Sequence, residues 1–271
     1  MDLNNKVVAI TGANSGIGLQ LTQQCLAKGA KVAASDLSTE ALEKLADNAA
    51  EKLFTSSLNV TDREGMTQWH QAICEQFGHC DVLINNAGVS LSSLAAQQSR
   101  EDFEWLMNIN FWGVVNGVEA FLPTLLQRPQ ASLVNLSSIF GIIGVPSQSA
   151  YNASKFAVRG YSEAMRQELA DSAVQVLTVH PGGVKTNIVR HGRHYSDTDG
   201  SATDMETMAA QFERMARTTA ADAATQIISA IEKRQCRLLI GADARLMDRL
   251  QRLFPASYER ALSRLLKMVK R

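Results

Sequence analysis

A turn crowded with glycine, set directly behind the first β-rich run, constrains this chain more than any other feature. Residues 6–10 lead straight into Thr11-Gly12-Ala13-Asn14-Ser15-Gly16-Ile17-Gly18, and a helical pattern with Leu19, Leu21 and Leu26 follows as far as Gly29. Where Cβ atoms are missing, backbone amides can approach a pyrophosphate at the start of a helix, whose partial positive charge favours an anion. The spacing, G-x-x-x-G-x-G, differs from the G-x-G-x-x-G fingerprint. No Gly-Lys-Ser/Thr follows, so the turn is not a P-loop. A tight turn without a ligand uses the same residues. The place of this one, between first strand and first helix, favours the ligand.

Six further β-rich runs alternate with helical stretches, at 31–35, 53–58, 81–85, 132–136, 174–179 and 237–240. Several are apolar on consecutive residues, as strands buried on both faces are. One intervening helix opens on a capping-box pattern, Thr61-x-x-Glu64, and carries Trp69, Ile73 and Phe77 four residues apart. The alternation predicts an α/β fold with a doubly wound parallel sheet and ligands at the carboxyl ends of its strands. No repeat or linker interrupts it. A single domain is expected over 1–243, with an extension at 244–271.

Composition narrows the function. The 271 residues are 45% apolar, enough for a large core, and 27 basic side chains balance 27 acidic ones. That balance argues against a nucleic-acid partner, whose phosphates call for a cationic surplus. No run reaches the ~18–20 apolar residues that span a bilayer. The start shows no signal-peptide pattern, and the end no lipidation signal. Cys25, Cys74, Cys80 and Cys236 form no C-x-x-C pair and read as reduced thiols of a cytoplasmic protein.

Three side chains carry candidate chemistry. Tyr151 and Lys155 lie at i and i+4, on one face if the segment is helical. A nearby cation favours phenolate and so lowers the pKa of a phenol. Such pairs are common by chance, but Ser138 ends an apolar strand shortly before, so all three could meet at one sheet edge. Asp36 ends the second strand, where an acid accepts hydrogen bonds from an adenosine ribose or simply opens the next helix. His191 and His194 lack a third ligand and read as solvated loop residues; His180 reads as a hydrogen-bonded strand end.

With these residues in view, the chain resembles the short-chain dehydrogenase/reductase family, in its branch of about 250 residues. The resemblance rests on T-G-x-x-x-G-I-G at 11–18, Asn85-Asn86-Ala87-Gly88, Asn110-Phe-Trp-Gly113, Ser138, Tyr151-x-x-x-Lys155, and Pro181-Gly182 followed by Val184 and Thr186, all in family order. One departure is Asn59-Val60, where Asp-Val is usual.

The resemblance implies a Rossmann-type sheet of seven parallel strands and a nicotinamide cofactor. It makes Tyr151 the general acid/base and gives Lys155 the tasks of lowering its pKa and holding the nicotinamide ribose. Ser138 would donate to the substrate oxygen, and Asn110 would support a proton-relaying water chain. Gly12, Ser15, Gly16, Ile17 and Gly18 would line the pyrophosphate. Asn59 and Val60 would sit at the adenine, with Asn86, Ala87 and Gly88 near its ribose. Val184 and Thr186 would hold the carboxamide, with Pro181 and Gly182 in the same cofactor-binding segment. A homodimer or homotetramer through helices at 100–127 and 150–171 is implied as well. Asp36, followed by Leu37 and Ser38 rather than a cation, favours NAD over NADP.

The family's substrate-facing segments correspond to 90–94, 139–145 and 187–219. Ile139, Phe140, Ile142, Ile143 and Val145 would make an apolar wall. Met205, Met208, Phe212 and Met215 form a helical stripe that either packs on the core or adapts as a lid. The expected substrate is a secondary alcohol or ketone with an apolar body, of lipid, steroid or retinoid kind. A small hydroxyketone or diol is the alternative, as is a non-catalytic dinucleotide-binding protein; a methyltransferase would not explain Ser138, Tyr151 and Lys155 together.

Segment 244–271 carries eight cations, at 245, 249, 252, 260, 264, 267, 270 and 271, and reads as two amphipathic helices broken at Pro255. It either docks on the parent domain or a sister subunit, or makes peripheral contact with an anionic membrane.

Overall fold

The computed structural model describes residues 1–47, 49, 51–196 and 204–260. In chain order the elements are β1 (Val7–Thr11), α1 (Gly16–Ala27), β2 (Lys31–Asp36), α2 (Glu40–Ala46), β3 (Leu53–Ser57), α3 (Arg63–Phe77), β4 (Val82–Asn85) and β5 (Leu91–Ser92). Then come α4 (Arg100–Met107), a π-helical turn (Asn108–Trp112), α5 (Gly113–Leu125), β6 (Ala131–Leu136), a 3-10 turn (Ile139–Gly141), α6 (Ser149–Glu168) and β7 (Val174–Pro181). The chain continues through β8 (Val184–Lys185), β9 (Arg193–His194), α7 (Met205–Met215), β10 (Thr218–Thr219), α8 (Ala220–Glu232), β11 (Arg237–Ile240) and α9 (Ala242–Leu253).

The seven long strands form one parallel sheet in the order β11-β7-β6-β4-β1-β2-β3, and each coincides with a β-rich run of the sequence. β1 shows why those runs lack alternation. Val8 and Ile10 pack on the α1–α8 side, while Val7 and Ala9 pack on the side of α3, α5 and α6. Both faces of the sheet are covered, so every position is apolar. The order reverses between β1 and β4, where Ile10 pairs with Ile84, and strands run outward in opposite directions from there. Loops leaving two such strands diverge and open a crevice at their carboxyl ends.

The cap of α3 differs from the capping-box expectation. Asp62, not Thr61, is the N-cap, and its carboxylate accepts from Gly65 N at 3.0 Å. Thr61 instead donates to Asn59 Oδ1 through both its amide and its hydroxyl. The Asp62 carboxylate thereby satisfies one of the orphan amides of the first turn. Trp69, Ile73 and Phe77 are buried as their spacing predicts.

The methionine stripe is a helix, α7, but Ala209 is its buried residue and Met215 is 61% exposed. α9 ends at Leu253, one residue short of the break expected at Pro255. Most of the second amphipathic segment lies outside the described residues. Among the described residues no helix is long and apolar enough to cross a membrane.

Candidate active site

The crevice floor is the glycine turn. Gly12 adopts φ +64°, and a Cβ there would lie 2.7 Å from Ala87 Cα; a Cβ on Gly18 would lie 2.1 Å from Gly12 O. Side chains at either place would push the two loops apart, so glycine is dictated by close approach and not by the turn alone. Thr11 Oγ1 accepts from Asn86 N and Ala87 N, and Asn86 Nδ2 donates to Thr11 O and Gly12 O, tying the β1 and β4 loops together. Ser15 caps α1 without a side-chain bond, and the first turn holds no acid. The helix start therefore presents amides to an anion. Thr186, beyond β8, leans over Gly16, and a small cavity of about 180 Å³ there is lined by Gly16, Lys185, Thr186, Asn187, Arg190 and Glu213.

Asp36 stands at the carboxyl end of β2. Its carboxylate accepts from Asn14 N (2.9 Å) and Leu37 N (2.7 Å), which fixes both oxygens at the tip of β2. Leu37 is 72% exposed. Asn59 commits Oδ1 to Thr61, while Val60 O accepts from Asn116 Nδ2.

Across the crevice, α6 brings Tyr151 and Lys155 to the end of β6. Both are buried, with Lys155 Nζ 5.7 Å from the Tyr151 ring centre and donating to Leu136 O at 3.1 Å. Burial pushes the phenol up to about 12, against a pull from the Ser138 hydroxyl, and brings the ammonium down to about 8. Desolvation is the larger cause at Tyr151, and the Ser138 hydroxyl is the group that pulls the phenol back down.

Asn110 lies on the π-helical turn, fully buried. Oδ1 accepts from Val89 N, and Nδ2 donates to Val89 O and Ser154 Oγ, so this side chain braces the loop behind Gly88. A Cβ on Gly88 would lie 3.1 Å from Asn110 Oδ1 and 3.3 Å from Lys155 Nζ. Gly88, Asn110 and Lys155 thus converge at one point of the crevice wall.

The apolar wall is rearranged relative to expectation. Ile139, Ile142 and Ile143 turn away into a cluster with Ala244 and Met247 of α9 and with Tyr258. Phe140 alone of that run also faces Tyr151, edge-on at 6.0 Å. The residues packed around Tyr151 are Leu91, Leu106 and Ala150, with Val89, Phe103, Trp105 and Phe140 half-buried beside them. Segment 187–196 is strapped over this end. β9 pairs with β5, Arg193 stacks 4.1 Å from Trp105, and Arg193 and Tyr195 both donate to Asp102. The Ser99 hydroxyl, then Arg193, hold the Asp102 carboxyl below its ordinary range.

Two neighbours of the site are given no part in it by the sequence: nothing there marks Asn152, and His180 reads only as a hydrogen-bonded strand end. Asn152 Nδ2 donates to Phe140 O and Ile143 O, each at 2.7 Å, and Oδ1 accepts from Val145 N. One buried amide therefore fastens the loop after Ser138 to the helix bearing Tyr151. His180 Nδ1 donates to Ser138 O at 3.1 Å, while its Nε2 has no hydrogen-bond partner; burial brings its pKa down to about 4, so it stays neutral. Periodicity could have marked His180 as buried, but nothing local foretold its bond to Ser138.

The family of short chain dehydrogenases matches residues 6–196. The chain belongs to it. SadH of Mycobacterium tuberculosis, named as an oxidoreductase, is 39% identical over 95% of this chain and 94% of its own length. The 3-oxoacyl-[acyl-carrier-protein] reductase FabG of Thermotoga maritima is 38% identical over 69% of this chain and 77% of its own. A short chain dehydrogenase/reductase of Burkholderia phymatum, solved in complex with NAD, superposes with a TM-score of 0.84 at 27% identity, covering 94% of this chain and 95% of that one. A serine dehydrogenase complexed with NADP⁺ gives 0.77 at 26%, covering 86% and 94%. This short-chain dehydrogenase is therefore an oxidoreductase whose fold binds a nicotinamide dinucleotide; its relatives include both NAD and NADP complexes.

Replacing Asn152 with Ala strands one buried and two half-buried backbone groups, at up to about 1–3 kcal/mol for a buried one left unsatisfied. The expected outcome is a lower Tm and a raised KM for the carbon substrate, with cofactor affinity unchanged. Steady-state kinetics and thermal unfolding measure both, and an unaltered KM would remove Asn152 from the site.

Proposed function

We propose that this chain is an NAD-dependent dehydrogenase/reductase of secondary alcohols and ketones with an apolar body. The observation that carries the reading is the convergence of Ser138, Tyr151 and Lys155 at the carboxyl end of β6, beside a glycine cradle at the sheet's reversal point. Gly12, Ser15, Gly16, Ile17 and Gly18 fit the pyrophosphate, because the turn is kept clear of Cβ atoms and ends in uncapped amides. Asp36 fits the ribose hydroxyls, Asn59 and Val60 the adenine, Asn86, Ala87 and Gly88 the adjoining ribose. Pro181, Gly182, Val184 and Thr186 fit the nicotinamide end. The cofactor, when bound, accepts or donates the hydride.

The chain's own residues handle the proton. The Ser138 hydroxyl donates to the substrate oxygen and holds it beside the phenol. Tyr151 takes the proton from that oxygen in alcohol oxidation and returns it in ketone reduction. Lys155, cationic below about pH 8, opposes the phenolate charge as it forms and offers its remaining protons to the ribose. Asn110 keeps the Val89 loop, and so Gly88, close to Lys155. His180 and Asn152 hold the two ends of the segment that carries Ser138 and Phe140.

The apolar substrate body is supported by the aromatic and aliphatic side chains packed around Tyr151. NAD is supported at the other end of the cleft. The fixed Asp36 carboxylate would confront a 2′-phosphate, and the residues beside it, Asn14, Ser15, Leu37 and Ser38, supply no cation. Self-association through α5 and α6 is supported by Trp112 and Leu126 at the two ends of α5 and Phe156 on α6, large apolar side chains left exposed.

Tyr151→Phe keeps the ring and removes the acid/base, so kcat should fall about 10²-fold or more with NAD binding nearly intact. Following reduced-nicotinamide absorbance across a panel of secondary alcohols measures it; near-normal turnover would reject the assignment. For the cofactor, kcat/KM should favour NAD by about tenfold or more, and Asp36→Ala with Leu37→Arg should narrow or reverse the ratio. A native preference for NADP would contradict the role of Asp36.

A further inference from the structure

α9 has one face built into the fold and another with nothing from the described residues over it. Inward, Ala244 is fully buried, and Met247 and Tyr258 pack on Ile139, Ile142 and Ile143. Asp248 is buried and bonded by Arg237 and Arg252, while Asp243 turns its carboxylate to Gly183 N. These contacts hold the helix rigidly and draw its carboxylates inward.

Outward, Leu246, Leu253 and Phe254 are 57%, 72% and 53% exposed. Leu246, Arg249 and Leu253 recur at spacings of three and four and so share a face, with exposed Arg245 beside it and Arg252 committed to Asp248. Past Glu259 the sequence holds no further acid, and Arg260, Arg264, Lys267, Lys270 and Arg271 follow. An apolar stripe bordered by cations is the pattern of a helix lying in a membrane interface.

We propose that the outer face of α9 docks this chain on an anionic phospholipid surface. Charge decides between the occupants. A second copy meeting the face about a two-fold axis would set Arg249 and its neighbours against the same residues. The chain's own 261–271 segment holds leucines but no acid, so its four cations would stand against those of α9. Anionic headgroups take the arginines, and the acyl boundary takes the two leucines and the phenylalanine. The surface adjoins the substrate side of the molecule, since Tyr258 bonds Gly144 N at 3.0 Å in the loop fastened by Asn152. The docking stands on exposure and charge and holds whatever the substrate proves to be.

Co-sedimentation of the full chain with phosphatidylcholine vesicles, with and without phosphatidylglycerol, tests it. Binding is expected only with phosphatidylglycerol, at about 0.01 M salt, and release at about 1 M, where the Debye length falls from roughly 30 to 3 Å. Leu246→Gln/Leu253→Gln/Phe254→Gln and, separately, Arg245→Gln/Arg249→Gln should each weaken binding about tenfold or more. Turnover of a water-soluble alcohol should stay unchanged in both, showing intact folds. No binding at low salt overturns the proposal, as does undiminished binding by both variants. A change of oligomeric state in the variants with vesicle affinity unaltered would make the face a subunit contact and overturn it too.

Discussion

The site depends on a lysine ammonium held out of water. Lys155 is 4% exposed, its Nζ bonded to Leu136 O. Burying a cation without a carboxylate is costly, and the depressed pKa expresses that cost. Much of the local architecture serves this arrangement. Gly88 lacks the side chain that would crowd Nζ, Asn110 fixes the loop carrying Gly88, and the π-helical turn sets Asn110 at that depth. α6 then delivers Tyr151 one turn before Lys155, under a lining of apolar side chains that raises the phenol in turn.

The sheet supplies the coordinate frame. Reversal of strand order between β1 and β4 opens the crevice, and the hydrogen bonds from Thr11 and Asn86 hold its lips at a fixed separation. β6 and β7 complete the frame, because Ser138 follows one and His180 is the last residue but one of the other, and the two are bonded to each other. Along this crevice stand a fixed carboxylate at the tip of β2, then backbone amides at the start of α1, and beyond β4 the Ser138, Tyr151 and Lys155 side chains in largely apolar surroundings. Those three environments are the chemical needs of a dinucleotide and a hydroxyl-bearing partner.

Much of this is legible in the sequence for definable reasons. A strand buried on both faces favours apolar residues at consecutive positions, so strands such as β1 and β4 stand out as near-continuous runs. The glycine turn shows itself because close approach of two loops leaves no room for a Cβ. The family resemblance adds Ser138, Tyr151 and Lys155, which the structure brings to one edge. What escapes depends on long-range placement. Ile139, Ile142 and Ile143 look like a cleft wall until α9 arrives from more than a hundred residues away to cover them. Asn152 looks like any polar residue of a helix until three backbone groups of the preceding loop close on it. Desolvation, too, depends on the whole fold, so the sequence suggests that Lys155 lowers the phenol of Tyr151 whereas burial raises it.

The most direct test compares the wild type with Lys155→Met, nearly isosteric and uncharged, in unfolding free energy across pH 7 to 10.5. The folded-state pKa is lowered to about 8 against about 10.4 for an exposed lysine, so between those values the unfolded chain binds the extra proton. Wild-type stability should therefore gain on the variant as pH rises through that window. At pH 7, where the buried charge is in full force, Lys155→Met should be the more stable protein and yet lose alcohol-dependent NAD reduction by about 10²-fold or more. A variant that is less stable at pH 7, a gap that does not change with pH, or a variant that still turns over would contradict the account.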